Sequence, residues 1–171
     1  MENDTFEQFY VSRYIDLFND ILNCDAMLGH LDSLIALIDP EMDAQFARWG
    51  GTRAGWEANV QAWRDWITTR CTELEQGMVD CYDLEGPYDF TFDVQPAGAG
   101  DIKVNSLWLP SYIFSGSYYG GIDILLKAKA NAGWQFAYWE FANHTPNPSI
   151  DSASVSFQAT TTDNVIAHFY P

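Results

Sequence analysis

The hydrophobic period of this chain changes once, at Gly86-Pro87. Upstream, apolar residues recur every three or four positions; downstream they recur every two. No single regular element satisfies both periods, because a helix repeats its faces every 3.6 residues and a strand every two. The expected class is therefore α+β: an N-terminal segment of three to four helices over residues 1–85, then a small antiparallel β sandwich or barrel-like module over 86–171.

In the first region, Phe6, Phe9, Tyr10, Tyr14, Leu17, Phe18, Ile21 and Leu22 predict a helix with one broad buried face. Leu31, Leu34, Ile35 and Ile38 predict a second over Met27 to Ile38. Asp39-Pro40-Glu41 reads as an N-cap, a first-turn proline and an acid at the positive end of a third helix, running to Trp49. Gly50-Gly51 ends it and Thr52 can cap a fourth from Ala54 to about Gln76, with Trp56, Val60, Trp63, Ile67, Cys71 and Leu74 on one side and Trp66 widening it. Its tryptophans are expected in the core.

In the second region, alternation predicts five or six short strands around Phe90–Val94, Ile102–Val104, Ile122–Ala128, Val155–Ala159 and Val165–Phe169. GAGD, SGSYYGG, ANAGW and NHTPNPS between them read as turns. Trp134, Phe136 and Trp139 are expected in or beside the β core.

At 171 residues and 47% hydrophobic, the chain can bury a core. Its net charge of −16 is uneven, −12 over residues 1–85 and −4 over 86–171. Such acidity repels phosphate backbones and anionic headgroups, so nucleic acid and membrane insertion are not expected. No phosphate loop, HExxH helix or GxSxG elbow occurs, and His30, His144 and His168 lack ligand spacing. No catalytic residue and no cofactor is predicted, although a carboxylate-based hydrolase stays open because the acids are plentiful. Asp151 and Asp163 are calcium candidates in polar loops, without regular D-x-D-x-D spacing. The three cysteines allow one bridge, with Cys71 and Cys81 the candidate pair worth about 3 kcal/mol, or three buried thiols. Asn143-His144-Thr145 matches a glycosylation acceptor. The aromatic runs make Trp108, Tyr112, Tyr118, Tyr119, Trp134 and Trp139 candidates for contacting a sugar or a protein, an alternative to packing in the core.

Phe9, Arg13-Tyr14, Asp16-Leu17 and Asn19, followed by Pro40-Glu41-Met42, Arg48-Trp49, Trp56 and Arg70, resemble the last helical stretch of CotH-like proteins. These are spore-coat and secreted atypical protein kinases, and Leu84-x-Gly86 would mark the exit of that stretch. Gly100-x-Ile102-x-Val104-Asn105, Gly116-x-Tyr118-Tyr119-x-Gly121, Leu126-x-Ala128, Gly133-Trp134-x-Phe136-x-x-Trp139 and Ile166-Ala167-x-Phe169 resemble β modules that follow in such proteins, similar to internalin-type B repeats. The resemblance implies a C-terminal, non-catalytic region of a secreted or cell-surface protein. Its β module would dock, adhere or space, with an upstream lobe, a second copy, or a surface glycan or protein as partner.

Overall fold

The computed structural model describes residues 3–171. Among them are four α-helices, α1 (Asp4–Asn19), α2 (Cys24–Ile38), α3 (Met42–Trp49) and α4 (Arg53–Tyr82). Eight strands follow: β1 (Glu85–Gln95), β2 (Gly100–Val104), β3 (Leu107–Trp108), β4 (Phe114–Gly120), β5 (Asp123–Ala130), β6 (Gln135–Phe141), β7 (Ser154–Gln158) and β8 (Asp163–Tyr170). Two compact units result, residues 3–19 with 78–171 and residues 20–77. The division differs from the one expected at residue 85, because α1 and the end of α4 belong with the strands.

The first unit is a sandwich of two four-stranded sheets, ordered β4-β1-β8-β6 and β3-β2-β5-β7. All pairs are antiparallel except β1 with β8, which are parallel. Alternation puts Phe90, Phe92 and Val94 of β1, Val165 and Ala167 of β8, Ile102 and Val104 of β2, and Ile124 and Leu126 of β5 into the core. Trp139 is buried there, with Trp134 and Phe136 partly buried beside it. The segment SGSYYGG forms most of β4 where a turn is expected. Its glycines have a packing reason: a Cβ on Gly116 would lie 2.9 Å from the Asn19 side chain of α1.

Helix α1 turns a different face inward from the one its aromatics suggest. Val11, Ser12, Ile15 and Asp16 are buried while Phe6 and Phe9 stay exposed. Polar side chains on this face bind sheet backbone, so hydrogen bonding and apolar burial together choose the orientation.

The helical unit is held differently. Asn23 caps α2 by accepting from the Ala26 N–H at 2.8 Å, and Thr52 caps α4 by accepting from the Gly55 N–H at 3.1 Å. Asp39 does not cap the third helix as expected. It lies in a single 3₁₀ turn (Asp39–Glu41), and its carboxylate pairs with Arg53 and accepts from the Trp56 indole N–H at 3.1 Å. Arg64 pairs with Asp32. Of the α4 stripe only Ile67 is buried, and Trp63 and Trp66 are 60% and 55% exposed, packed edge to face. These tryptophans are not core residues, and neither α2 nor α3 buries a residue of its own against them.

The disulfide joins Cys24 to Cys71, leaving Cys81 free and exposed. The expected Cys71–Cys81 bridge is ruled out by the continuation of α4 to Tyr82. Ten residues along one helix separate two side chains by about 15 Å, far beyond disulfide reach. The bridge closes a loop with a separation of 47 residues and so restrains the unfolded chain by about 4 kcal/mol in the chain-entropy account. Cys24→Ser is expected to lower the urea midpoint of the helical signal, whereas Cys81→Ser leaves it unchanged, and non-reducing peptide mapping should recover the 24–71 pair.

Candidate functional site

The outer face of the β3-β2-β5-β7 sheet carries every lysine in the chain, Lys103, Lys127 and Lys129. Cross-strand register aligns four residues, one per strand: Trp108 opposite Lys103, Lys103 opposite Lys127, and Lys127 opposite Ser154. With strands spaced ~4.8 Å apart, this transverse row is about 14 Å long. Two lysines directly opposite one another repel and cost a sheet stability. None of the three has a carboxylate within salt-bridge distance among the described residues, although Asp101 faces Lys129 across the ladder. The fold alone gives no reason for this juxtaposition in so acidic a chain.

Trp108 is 43% exposed, with the Lys103 and Lys129 ammoniums 5.9 and 5.8 Å from its ring centroid. Beside the row an open groove of about 480 Å³ runs between Lys103, Leu125, Lys127, Asn147, Ser154 and Ser156. The Ser154 and Ser156 hydroxyls and the Asn147 carboxamide have no hydrogen-bond partner among the described residues, so they are free to meet a ligand.

A buried carboxylate supports this face from behind. Asp16 of α1 accepts from the Ser106 N–H at 2.7 Å, the Ser106 hydroxyl at 2.5 Å and the Asn105 amide at 3.3 Å. Asn105, in a left-handed conformation with φ 46°, passes the restraint on by accepting from the Leu125 N–H at 2.9 Å. The turn between Lys103 and Trp108 is thereby fixed to both α1 and β5. Asn19 exchanges two hydrogen bonds with the Ser117 backbone, and Gln8 two with that of Asp123. Burial raises the Asp16 pKa above the ordinary aspartate value against the opposing pull of these donors.

Of the other aromatic candidates, Tyr118, Tyr119 and Trp139 are buried and cannot form a surface platform. They occupy inward strand positions, and the Trp139 indole N–H donates to the Ser152 carbonyl at 3.0 Å. Tyr112 is half-buried and its hydroxyl accepts from the Ile102 N–H, while Trp134 packs on the core margin. Among the six, Trp108 is the one that projects substantially to solvent.

Asp163 is buried and already saturated. It accepts from the backbone N–H groups of Ala142, Asn143 and Asn164 and from His144 Nδ1, which leaves no face for calcium. Asp151 is exposed and far from joining it in a cluster: no group of three metal-ligating side chains occurs among the described residues. His144, in the loop after β6, turns its ring toward Phe90 and Phe157. Its Nε2 accepts from the Thr160 N–H at 3.1 Å. The Thr160 hydroxyl is 3.3 Å from the same nitrogen, but that lone pair is already engaged and the dyad serves to tie loops together.

Residues 1–74 match the family model described as CotH kinase protein, and residues 93–171 match that of the divergent InlB B-repeat domain. The chain is a CotH-like part followed by a B-repeat-like β module. No curated protein and no solved structure matches it. The pairing fits a surface- or spore-coat-associated segment of a kinase-like family. The structural units do not follow the two matches, since CotH-like α1 is built into the sandwich. Arg13, Asp16 and Asn19 of the CotH-like motif are residues that contact it, Arg13 through the Ser106 hydroxyl at 2.9 Å.

Asp16→Ala is expected to destabilise the B-repeat-like module by about 2 kcal/mol in urea unfolding, because the Ser106 N–H and Asn105 amide lose their acceptor. The raised pKa sets a pH signature. The fold favours the protonated carboxyl, a contribution complete below the ordinary aspartate pKa and lost as pH rises through the folded value. The stability of the parent chain minus that of Asp16→Asn should therefore fall across that window.

Proposed function

We propose that this CotH-like chain is a non-catalytic accessory region whose β module docks to the surface of a cell or spore. The observation that carries the reading is the transverse row Trp108-Lys103-Lys127-Ser154, an exposed aromatic and cations with no carboxylate partner among the described residues, aligned on one sheet face. Surface docking uses such features, since an amphipathic ring and accessible charges supply contact area and orientation without moving the backbone. The outer face of the other sheet carries no lysine: His168 Nε2 there lies 2.7 Å from Glu140 and stacks on Tyr138, while Asp89 and Asp93 accept from Ser117, Val94 and Gln95.

The non-catalytic part of the reading is supported by the state of the two buried carboxylates. Asp16 and Asp163 are both occupied by hydrogen-bond donors in separate places, which disfavours the carboxylate-pair hydrolase. The CotH-like stretch also shows no glycine-rich cradle for a nucleotide phosphate.

The exposed Leu34, Leu37, Trp49, Trp63 and Trp66 support a further proposal for the helical unit, that another polypeptide covers it, either the lobe to which such helices belong or a second copy. Sedimentation equilibrium that finds monomer at high concentration, together with no binding of an apolar dye, would remove both.

Two outcomes are expected for the whole chain. It should sediment with purified envelope or coat material of its source cell, in a salt-sensitive manner, and failure to do so at low salt sinks the docking reading. It should show no magnesium-dependent thermal shift with ATP; a stabilisation that grows with ATP concentration would point to a nucleotide site instead.

A further inference from the structure

We infer that the row and its groove bind an acidic oligosaccharide, with a pyranose ring on Trp108 and its carboxylate between Lys103 and Lys127. The inference rests on the docking reading and deepens it by naming the ligand. Its basis is the juxtaposition of three kinds of group over about 14 Å: a partly exposed indole, two lysines directly opposite one another in the ladder and unengaged hydroxyl and amide groups.

Each component has a counterpart in a sugar acid. The weakly positive C–H face of a pyranose packs on the negative face of an indole. One carboxylate placed between Lys103 and Lys127 relieves the repulsion that their cross-strand register imposes, so ligand binding removes an unfavourable term already present in the free protein. Ser154, Ser156 and Asn147 offer donors and acceptors to ring hydroxyls, and Leu125, 49% exposed, adds apolar contact at the groove floor.

Other anionic partners fit less well. A peptide adding a strand needs a sheet edge with free N–H and C=O groups, whereas this row crosses the face of the sheet. A phosphate dianion is usually cradled by clustered backbone N–H groups, and in β2 and β5 those groups belong to the ladders. A densely charged polymer also meets the repulsion of a chain with net charge −16. A uronate carries one charge per ring, which the lysine row can answer locally within a Debye length of about 8 Å.

The test is a titration of the full chain with trigalacturonate, followed by amide and indole NMR shifts and by calorimetry. Its fully methyl-esterified form, galactose 6-phosphate and hexaglutamate serve as comparisons. Trigalacturonate should shift Lys103, Lys127 and the Trp108 indole, weaken with salt, and bind at least about ten-fold more tightly than the neutral ester, the effect of one good charge pair. Lys103→Gln with Lys127→Gln should lose a similar factor with the fold intact by circular dichroism, since exposed like charges are removed; Trp108→Ala should weaken acid and ester alike. Equal affinity for the ester, tighter binding of the phosphate or the peptide, unchanged affinity in the lysine variant, or no shift on this face with millimolar trigalacturonate would each overturn the inference. Envelope sedimentation of the parent chain, set beside its uronate titration, separates the two readings. Retention without uronate binding leaves docking standing and removes the sugar, while uronate binding without retention does the reverse.

Discussion

The contact on which the sandwich and its exposed face both depend is the buried carboxylate of Asp16. It is 1% exposed and is held by the two residues of the β2–β3 turn rather than by a cation. Taking a carboxylate out of water is unfavourable, and here three hydrogen bonds from Ser106 and Asn105 offset the cost. The arrangement gives α1 a fixed register on the strands, because the carboxylate can be satisfied at one place only. Gln8 and Asn19, eight residues before and three after, then fall opposite free backbone groups at Asp123 and Ser117.

This clamp explains why a helix within the CotH-like match belongs structurally to the β module. A covalent neighbour in sequence need not be a packing neighbour, and α1 contributes Val11 and Ile15 to the same core as Phe90 and Trp139. The helical unit has no comparable core. Its integrity rests on the Cys24–Cys71 bridge, the Arg53 and Arg64 ion pairs and two helix caps. Exposed ion pairs of this kind are individually weak, so the disulfide is its strongest constraint.

The same turn that receives Asp16 presents Lys103 and Trp108 to solvent. Asn105 links it to β5 through the Leu125 N–H, so the row spanning β3, β2, β5 and β7 is carried on backbone held from two sides. Preorganisation of this kind lowers the ordering cost of binding, and it makes the face a rigid platform rather than a mobile loop.

Much of the architecture was legible from residue spacing alone. The change of period at Gly86-Pro87 separates helices from strands, and alternation in β1, β2, β5, β7 and β8 identifies their buried sides, because each pattern follows from the local geometry of one element. The order of the CotH-like and B-repeat-like motifs is likewise a property of the linear chain. Partners between elements are not. β4 looked like a turn because it is rich in glycine, of which Gly116 leaves room for Asn19 and Gly120 for the Ala159 carbonyl; Cys71 cannot reach Cys81 because α4 continues past Gln76; and the row on the sheet exists only once β3, β2, β5 and β7 are in register. Clustered lysines at 103, 127 and 129 in an acidic chain were the available signal, but sequence separation conceals which of them face each other. Local spacing decides what each segment becomes, while hydrogen bonding and packing across the chain decide which segments meet and which residues are left facing the solvent.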